Sequence, residues 1–547
     1  MKIALAQLNY HIGNFDDNAE KIIRTIKKAK QQQADLVVFS ELSVCGYYPN
    51  DLLEHKDFID RAEETIQRIA AACRGIAAIV GGPSINREER GKQLYNSAFF
   101  LEDGTIKAIR HKTLLPTYDI FDEYRHFEPN SHFELVEYKG KKLALTICED
   151  LWDELPSQNE FGKNKLYRMS PLEKLSKLNP DIVINLSASP FSYNQEHWRK
   201  DILIREAKKY RLPIVYVNQT GGQTELIFDG GSCFVTANGE IPVELAYFKE
   251  DYILIDSDQP PQIQQKKQNY IEKIHKALIL GIRDYFDKMN FNDAVLGLSG
   301  GIDSALVCAL TAEAIGSKHV RGILMPSRYS SDHSVADALA LAENFGINYD
   351  IISIQNIVTE FDKELSSVFK NLPAGVAEEN IQARIRGTLV MAMSNKFGSI
   401  LLNTTNKSEC AVGYGTLYGD MNGGLAVLGD VYKTDVFKLS RYINRNEELI
   451  PTNSIIKPPS AELRPDQKDT DSLPDYDTLD RILFKYIEQN QSPEEIIAHG
   501  FLEETVFRTI QMVNRNEYKR FQAPPILRVS SKAFGFGRKM PLVARYS

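Results

Sequence analysis

No two cysteines in this chain are spaced as C-x-x-C; the six, Cys45, Cys73, Cys148, Cys233, Cys308 and Cys410, stand singly. Zinc sites and disulfide frameworks built on such pairs are thereby set aside, and most of these thiols read as small buried hydrophobes. Basic residues are in no excess: 65 Lys and Arg against 73 Asp and Glu, interspersed, leave a net charge of −8. That balance offers no electrostatic footprint for nucleic acid. Long apolar runs are also missing. No stretch approaches a membrane span, and Ile3 to Leu8 is too short for the core of a secretory signal, so a cytoplasmic location is expected. Neither a Walker A loop with its Lys nor a G-x-G-x-x-G occurs, so two common nucleotide motifs are excluded.

What is present is enough apolar material, 43% of 547 residues, for about two to four domains with sizeable cores. Within it, Gly297-Leu298-Ser299-Gly300-Gly301-Ile302-Asp303-Ser304 follows an apolar strand and opens a helix. Backbone N–H groups at such a helix start are unpaired, and Gly300 and Gly301 remove the side chains that would hold an anion away. Ser-Gly-Gly-x-Asp-Ser resembles the signature of the ATP pyrophosphatases, which adenylate a substrate and release pyrophosphate. That resemblance implies a loop that grips pyrophosphate, with Asp303 helping to hold Mg²⁺.

In the first half, strands and helices alternate from Lys2 to Gly81, and Glu102-Asp103-Gly104 and Asn238-Gly239 then mark hairpins. Strands outnumber what a simple doubly wound sheet needs, so a mixed layered domain is expected. Glu41, Lys112 and Cys148 each close a predicted strand, where rigid scaffolds present chemistry. A Cys needs a base to become a nucleophile, and a Lys can support an oxyanion. Taken singly, each residue also fits an ordinary role: a solvated strand end, one of a basic cluster, a buried thiol. Glu41 with Gly46-Tyr47-Tyr48-Pro49, His111-Lys112-Thr113-Leu114-Leu115-Pro116 and Ile147-Cys148-Glu149-Asp150 together resemble the nitrilase amidase superfamily. The resemblance implies a four-layer αββα sandwich over residues 1–256 and a Glu41, Lys112, Cys148 triad that hydrolyses an amide. It also implies a second glutamate at Glu123, and glutamine contacts from Tyr118, Ser189 and Gln195. A Lys often found near the last of these is replaced here by Tyr193-Asn194-Gln195.

Residues 257–269, polar and with Pro260-Pro261, read as a linker. From 270 to 547, strand and helix alternation predicts a doubly wound parallel sheet of the adenine nucleotide alpha hydrolase type, with ligands at the strands' carboxyl ends. Asn380 and Arg384 share one predicted helix face. Glu379-Asn380 through Arg386, Asn406-Lys407-Ser408-Glu409, Tyr414 through Asp420, Lys457 through Pro465 and Tyr518 through Pro525 together resemble the NAD synthetase family. By that resemblance Gly297 to Ser304, Thr404, Lys433 and Ser460 face ATP. Asn380, Glu409 and Lys519 lie near deamido-NAD, and Asp303 and Glu409 hold the metal. Leu417 stands where related chains often carry Lys. The polar stretch from Pro465 to Pro474 reads as a mobile loop. The expectation is an amidase joined to an adenylating ligase, a homo-oligomer in which glutamine supplies ammonia for amidation of deamido-NAD.

Overall fold

In the computed structural model, residues 1–154, 166–193, 196–370 and 372–545 are described. They form two compact units, Met1–Lys267 and Gln268–Ser547. Two six-stranded sheets make the centre of the first unit. Strands Lys2–Gln7, Leu36–Val38 and Ala77–Ile85 run parallel in one sheet, which the antiparallel hairpin Leu94–Glu102 and Thr105–His111 extends. In the other, Lys141–Ile147, Ile182–Ser187 and Ile214–Asn218 are parallel neighbours.

Side-chain alternation explains the layers. Ile3 and Leu5 join Leu143, Leu145, Ile147 and Ile184 in one apolar cluster between the sheets. Ala4 and Ala6 point the other way, into a cluster with Ile22, Ile26, Ile66 and Ile69 of helices Phe15–Gln31 and Lys56–Ala72. Ala144 and Val183 likewise meet Leu172 and Leu203, from helices on the second sheet's outer face. Both faces of each sheet are therefore apolar, which a two-layer fold cannot satisfy. The expected αββα sandwich is the observed one.

Gly81 has no room for a side chain: a Cβ there would lie 2.4 Å from Leu42 N and 2.7 Å from Ser40 O. The strand thus lies directly against the turn carrying Glu41. In the segment read as a linker, Ile263 bridges Val243, and Asn269 caps helix Tyr270–Met289 by accepting from Glu272 N.

The second unit is built on a five-stranded sheet in the order Asn348–Ile351, Val320–Leu324, Ala294–Gly297, Ile400–Asn403, Leu425–Ala426, all parallel. Chain order reverses beside Ala294–Gly297, and a crevice forms outside the carboxyl ends of strands at such a switch point. Among the described residues no helix is long and apolar enough to cross a membrane.

Candidate functional site

In the first unit three strand ends converge. Lys112 is fully buried, and its Nζ donates to Glu41 Oε1 at 2.7 Å and to Glu123 Oε1 at 2.8 Å. Asn96, in the neighbouring strand, donates from Nδ2 to Glu41 Oε1 (2.8 Å) and stands 3.4 Å from Glu123 Oε2. Ala188 N donates to Glu41 Oε2 (3.0 Å), and Tyr47 OH to Glu123 Oε1 (2.7 Å). Both carboxylates are thus held by several donors each. Burying them without Lys112 would be far costlier than the paired arrangement.

Cys148 sits at the elbow after strand Lys141–Ile147, with φ of +41°. A non-glycine residue there carries about 1–3 kcal/mol of backbone strain. Asp150 holds the elbow: its Oδ2 accepts from Ile147 N (2.9 Å), and its Oδ1 from Thr113 N and Leu114 N (both 2.9 Å). One carboxylate therefore ties the Cys148 turn to the segment that follows Lys112. Glu149, also buried, accepts from Tyr118 OH and Tyr167 OH at 2.8 Å each.

Electrostatics follow from the burial. Desolvation pushes Glu41 up to about 7, with Lys112 pulling the other way and Glu123 adding to the rise. Desolvation also lifts the Cys148 thiol well above its usual range; the Glu41 carboxylate adds to this and Lys112 opposes it. Glu149 is raised to about 7 by burial, against the pull of Lys112. Burial alone would lower Lys112, yet the Glu123 and Glu41 carboxylates more than offset it and keep the ammonium charged.

In the second unit, a cavity of about 320 Å³ opens where the sheet's strand order reverses. Gly297, Leu298, Ser299, Gly301, Ile302, Asp303 and Ser304 line it, with Thr404, Glu409, Lys433 and Ser460. Gly300 turns away from the lining. Its φ is +76°, and a Cβ there would lie 2.1 Å from Ser334 O, so only glycine fits. Ser304 Oγ lies 3.1 Å from Ser299 Oγ and accepts from Ser299 N, which latches the loop onto the first turn of helix Ile302–Ile315.

Lys433 Nζ meets Asp303 Oδ2 at 2.5 Å and Glu409 Oε1 at 3.2 Å, while Asn406 Nδ2 donates to Asp303 Oδ1 (2.8 Å). Burial raises Glu409 to about 8, with Asp303 and Asp469 adding and Lys433 opposing. Lys433 would be lowered by burial but is held up by the Asp303 and Glu409 carboxylates. Asn380 and Lys519 lie off the cavity wall. Asn380 Oδ1 accepts from Thr416 Oγ1 (2.7 Å), and Lys519 Nζ donates to Gly413 O and Gly415 O (2.7 and 2.8 Å). Arg384 Nε reaches Leu417 O at 3.2 Å, so the shared helix face meets the 413–417 turn as a unit.

The residues expected at the glutamine end have partners within the protein. Tyr118 binds Glu149, and Ser189 N donates to Asn218 Oδ1 (2.9 Å). Gln195 lies outside the described residues. Asn96, Asp469 and Arg386 were not singled out for these sites from the sequence; a mid-strand Asn and an Asp in a polar stretch carry no local signal. Asp469 is in fact buried, accepts from Tyr476 OH (2.8 Å) and lines the cavity, as does Arg386. Glu462 accepts from Ser331 Oγ (3.0 Å) and Ser334 Oγ (2.7 Å), which pins the segment carrying Ser460 beside the Gly300 turn.

The two units match two families in turn: carbon-nitrogen hydrolase over residues 2–267 and NAD synthase over 274–523. A hydrolase of carbon–nitrogen bonds is thus joined to a synthase. The chain is 48% identical to the glutamine-dependent NAD(+) synthetase of Synechocystis sp., covering 100% of this chain and 99% of that one. It is 44% identical to the one from Acinetobacter baylyi, over 99% and 98% of the two chains. A solved structure of the Acinetobacter baumannii glutamine-dependent NAD+ synthetase in complex with ADP superposes with a TM-score of 0.78 at 41% identity, covering 99% of this chain and 98% of that one. The chain belongs to the glutamine-dependent NAD(+) synthetase family.

Replacing Lys112 with Met keeps the volume but strands two buried carboxylates. The variant should lose about 3–5 kcal/mol of stability, read as a lowered midpoint in thermal unfolding followed by circular dichroism. An unchanged midpoint would show that Glu41 and Glu123 are not held by this charge.

Proposed function

We propose that this chain hydrolyses glutamine in its first unit and uses the ammonia to amidate deamido-NAD in its second, forming NAD, AMP, pyrophosphate and glutamate. The observation that carries this reading is the pairing of a buried Glu41, Lys112, Glu123 network beside Cys148 with a strand-to-helix nucleotide loop facing Asp303, Glu409 and Lys433. The ADP-bound relative supports ATP as co-substrate. The same reading places the chain in the cytoplasm as a homo-oligomer.

At the first site Cys148 rests as a thiol, since burial disfavours its thiolate. Glu41 takes the thiol proton as sulfur attacks the amide carbon. Two of the three Lys112 ammonium hydrogens serve Glu41 and Glu123, and the third supports the tetrahedral oxyanion. Glu41 then returns the proton to the departing nitrogen, and ammonia leaves a thioester. A water, deprotonated by Glu41, attacks that thioester; glutamate departs and Cys148 is restored. Glu149 fixes Tyr118 and Tyr167 around the elbow, where glutamine would bind.

At the second site, the first N–H groups of helix Ile302–Ile315, which opens onto the cavity, receive the triphosphate. Asp303 and Glu409 already converge on one positive charge, the Lys433 ammonium, so their oxygens suit Mg²⁺. When bound, that ion would neutralise phosphate charge. The nicotinate carboxylate attacks the ATP α-phosphorus and releases pyrophosphate, giving an acyl adenylate, a mixed anhydride from which ammonia displaces AMP. In this reading Lys433 follows the phosphates; it lines the cavity together with Ser460 and Thr404. Asn380 and Lys519 shape the 413–417 turn at the dinucleotide end.

Cys148→Ala should abolish glutamine-driven NAD synthesis, by about a thousandfold or more, yet leave synthesis from ammonium chloride intact. Asp303→Asn should do the opposite, sparing glutamine hydrolysis and cutting synthesis from either nitrogen source by at least about tenfold. Loss of ammonium-driven turnover in Cys148→Ala, assayed by chromatography of NAD, would contradict the division of labour.

The pH profile follows from Glu41. It must be ionised to act as a base, and its raised value moves the acid limb up, so kcat/KM for glutamine hydrolysis should climb as pH rises through about 7. Asn96→Ala removes a donor that favours the ionised carboxylate and should shift this limb higher still. A limb at the ordinary glutamate value, in steady-state rates across pH, would rule out this base.

A further inference from the structure

Apart from the reacting groups of both sites, Asp51, Glu54 and His126 bring three ligating atoms within 4.8 Å of one another. Asp51 and Glu54 lie three apart in the short 3₁₀ helix Asn50–Glu54, where residues at that spacing eclipse. Their carboxylates therefore leave the turn on one side. His126 ends the turn Glu123–Arg125, with its side chain only 5% exposed.

The imidazole is held in one orientation. Nδ1 lies 2.7 Å from Tyr48 OH, and that hydroxyl lies 3.3 Å from Asp122 O. A hydroxyl has one proton, so donating it to the carbonyl means accepting from Nδ1–H. That tautomer leaves a lone pair on Nε2, the metal-ligating form of a histidine fixed by an outer partner. Nε2 makes no hydrogen bond, although it is buried and faces Asp51 Oδ1 at 3.4 Å and Glu54 Oε1 at 3.5 Å. In that tautomer the lone pair faces two carboxylates, an arrangement that a shared cation stabilises; in the other, Nε2–H faces them and a bound ion takes the place of that proton.

The spacing suits one. Ligands about 2.0–2.1 Å from a tetrahedral ion stand roughly 3.3–3.4 Å from each other, close to the two separations here. A partial substitute is already present: Arg125 Nη2 lies 3.0 Å from Asp51 Oδ1 and 3.6 Å from Glu54 Oε1. Its side chain is half exposed. One imidazole nitrogen with two carboxylates favours a first-row divalent ion over Ca²⁺, which takes oxygen ligands.

We propose that Asp51 Oδ1, Glu54 Oε1 and His126 Nε2 bind Zn²⁺, with solvent completing the tetrahedron. The ion would tie the 50–54 turn to the turn that starts at Glu123, the partner of Lys112.

The test is calorimetric titration of the full chain with ZnCl₂, in the Cys148→Ala background to remove the reactive thiol and in excess Mg²⁺ to occupy the Asp303 and Glu409 carboxylates. About one equivalent should bind, with affinity at least about tenfold weaker in His126→Gln and in the exposed-residue pair Asp51→Asn/Glu54→Gln. Arg125→Ala, which removes the competing guanidinium, should bind more tightly. Circular dichroism checks that each variant folds, and the carboxylate pair decides the question if His126→Gln does not. Equal affinity in the ligand variants, or no binding to Arg125→Ala below millimolar Zn²⁺, would overturn the site.

Discussion

A single buried ammonium organises the first unit's chemistry. Lys112 has no solvent exposure, and two carboxylates within 2.8 Å compensate its charge. Each carboxylate is in turn committed to further donors: Asn96, Ala188 N and Tyr47. The strand ends that carry them cannot separate without leaving a charge unpaired in the core, a penalty of several kcal/mol. The network is therefore a positional constraint as much as a reactive group. Burial, against the pull of Lys112, explains the unusual state of Glu41, a carboxylate that remains able to accept a proton near neutrality.

The second unit uses the same device on a different scaffold. Lys433 is buried and bound by Asp303 and Glu409, and Glu409 is raised to about 8 for the same reason as Glu41. The difference lies in what surrounds the cluster. In the first unit the charges are enclosed by two sheets; in the second they border a cavity of about 320 Å³ with a helix N-terminus pointing into it. Enclosure suits proton transfer to and from a thiol, and an open wall of N–H groups suits a large anion. Local packing thus assigns different chemistry to two similar charge clusters.

Much of this was legible in the residues. The strand and helix pattern gave a mixed layered domain, the nitrilase resemblance its αββα layering, and two glycines between a strand and a helix marked the nucleotide loop. Glu41, Lys112 and Cys148 were visible at strand ends, but spacing could not bring them together. Their meeting depends on pairing among distant strands and on Asp150, whose carboxylate joins the Cys148 elbow to residues 113 and 114. Asn96 was invisible as a site residue because an Asn within a strand has no distinctive pattern, yet it spans both glutamates. Asp469 was hidden differently: it stands in the polar run that reads as a mobile loop, whereas Tyr476 donates to its carboxylate at the cavity wall.

The account's central claim is that nitrogen released at Cys148 becomes the amide formed beside Asp303. Incubating the protein with Mg-ATP, deamido-NAD and glutamine labelled with ¹⁵N in its side-chain amide, in the presence of unlabelled ammonium at low concentration, and weighing the products by mass spectrometry tests it directly. The account predicts ¹⁵N-labelled NAD in amounts equal to AMP and glutamate. Glutamate formed without NAD or AMP would contradict it, leaving an amidase whose ammonia serves some other acceptor.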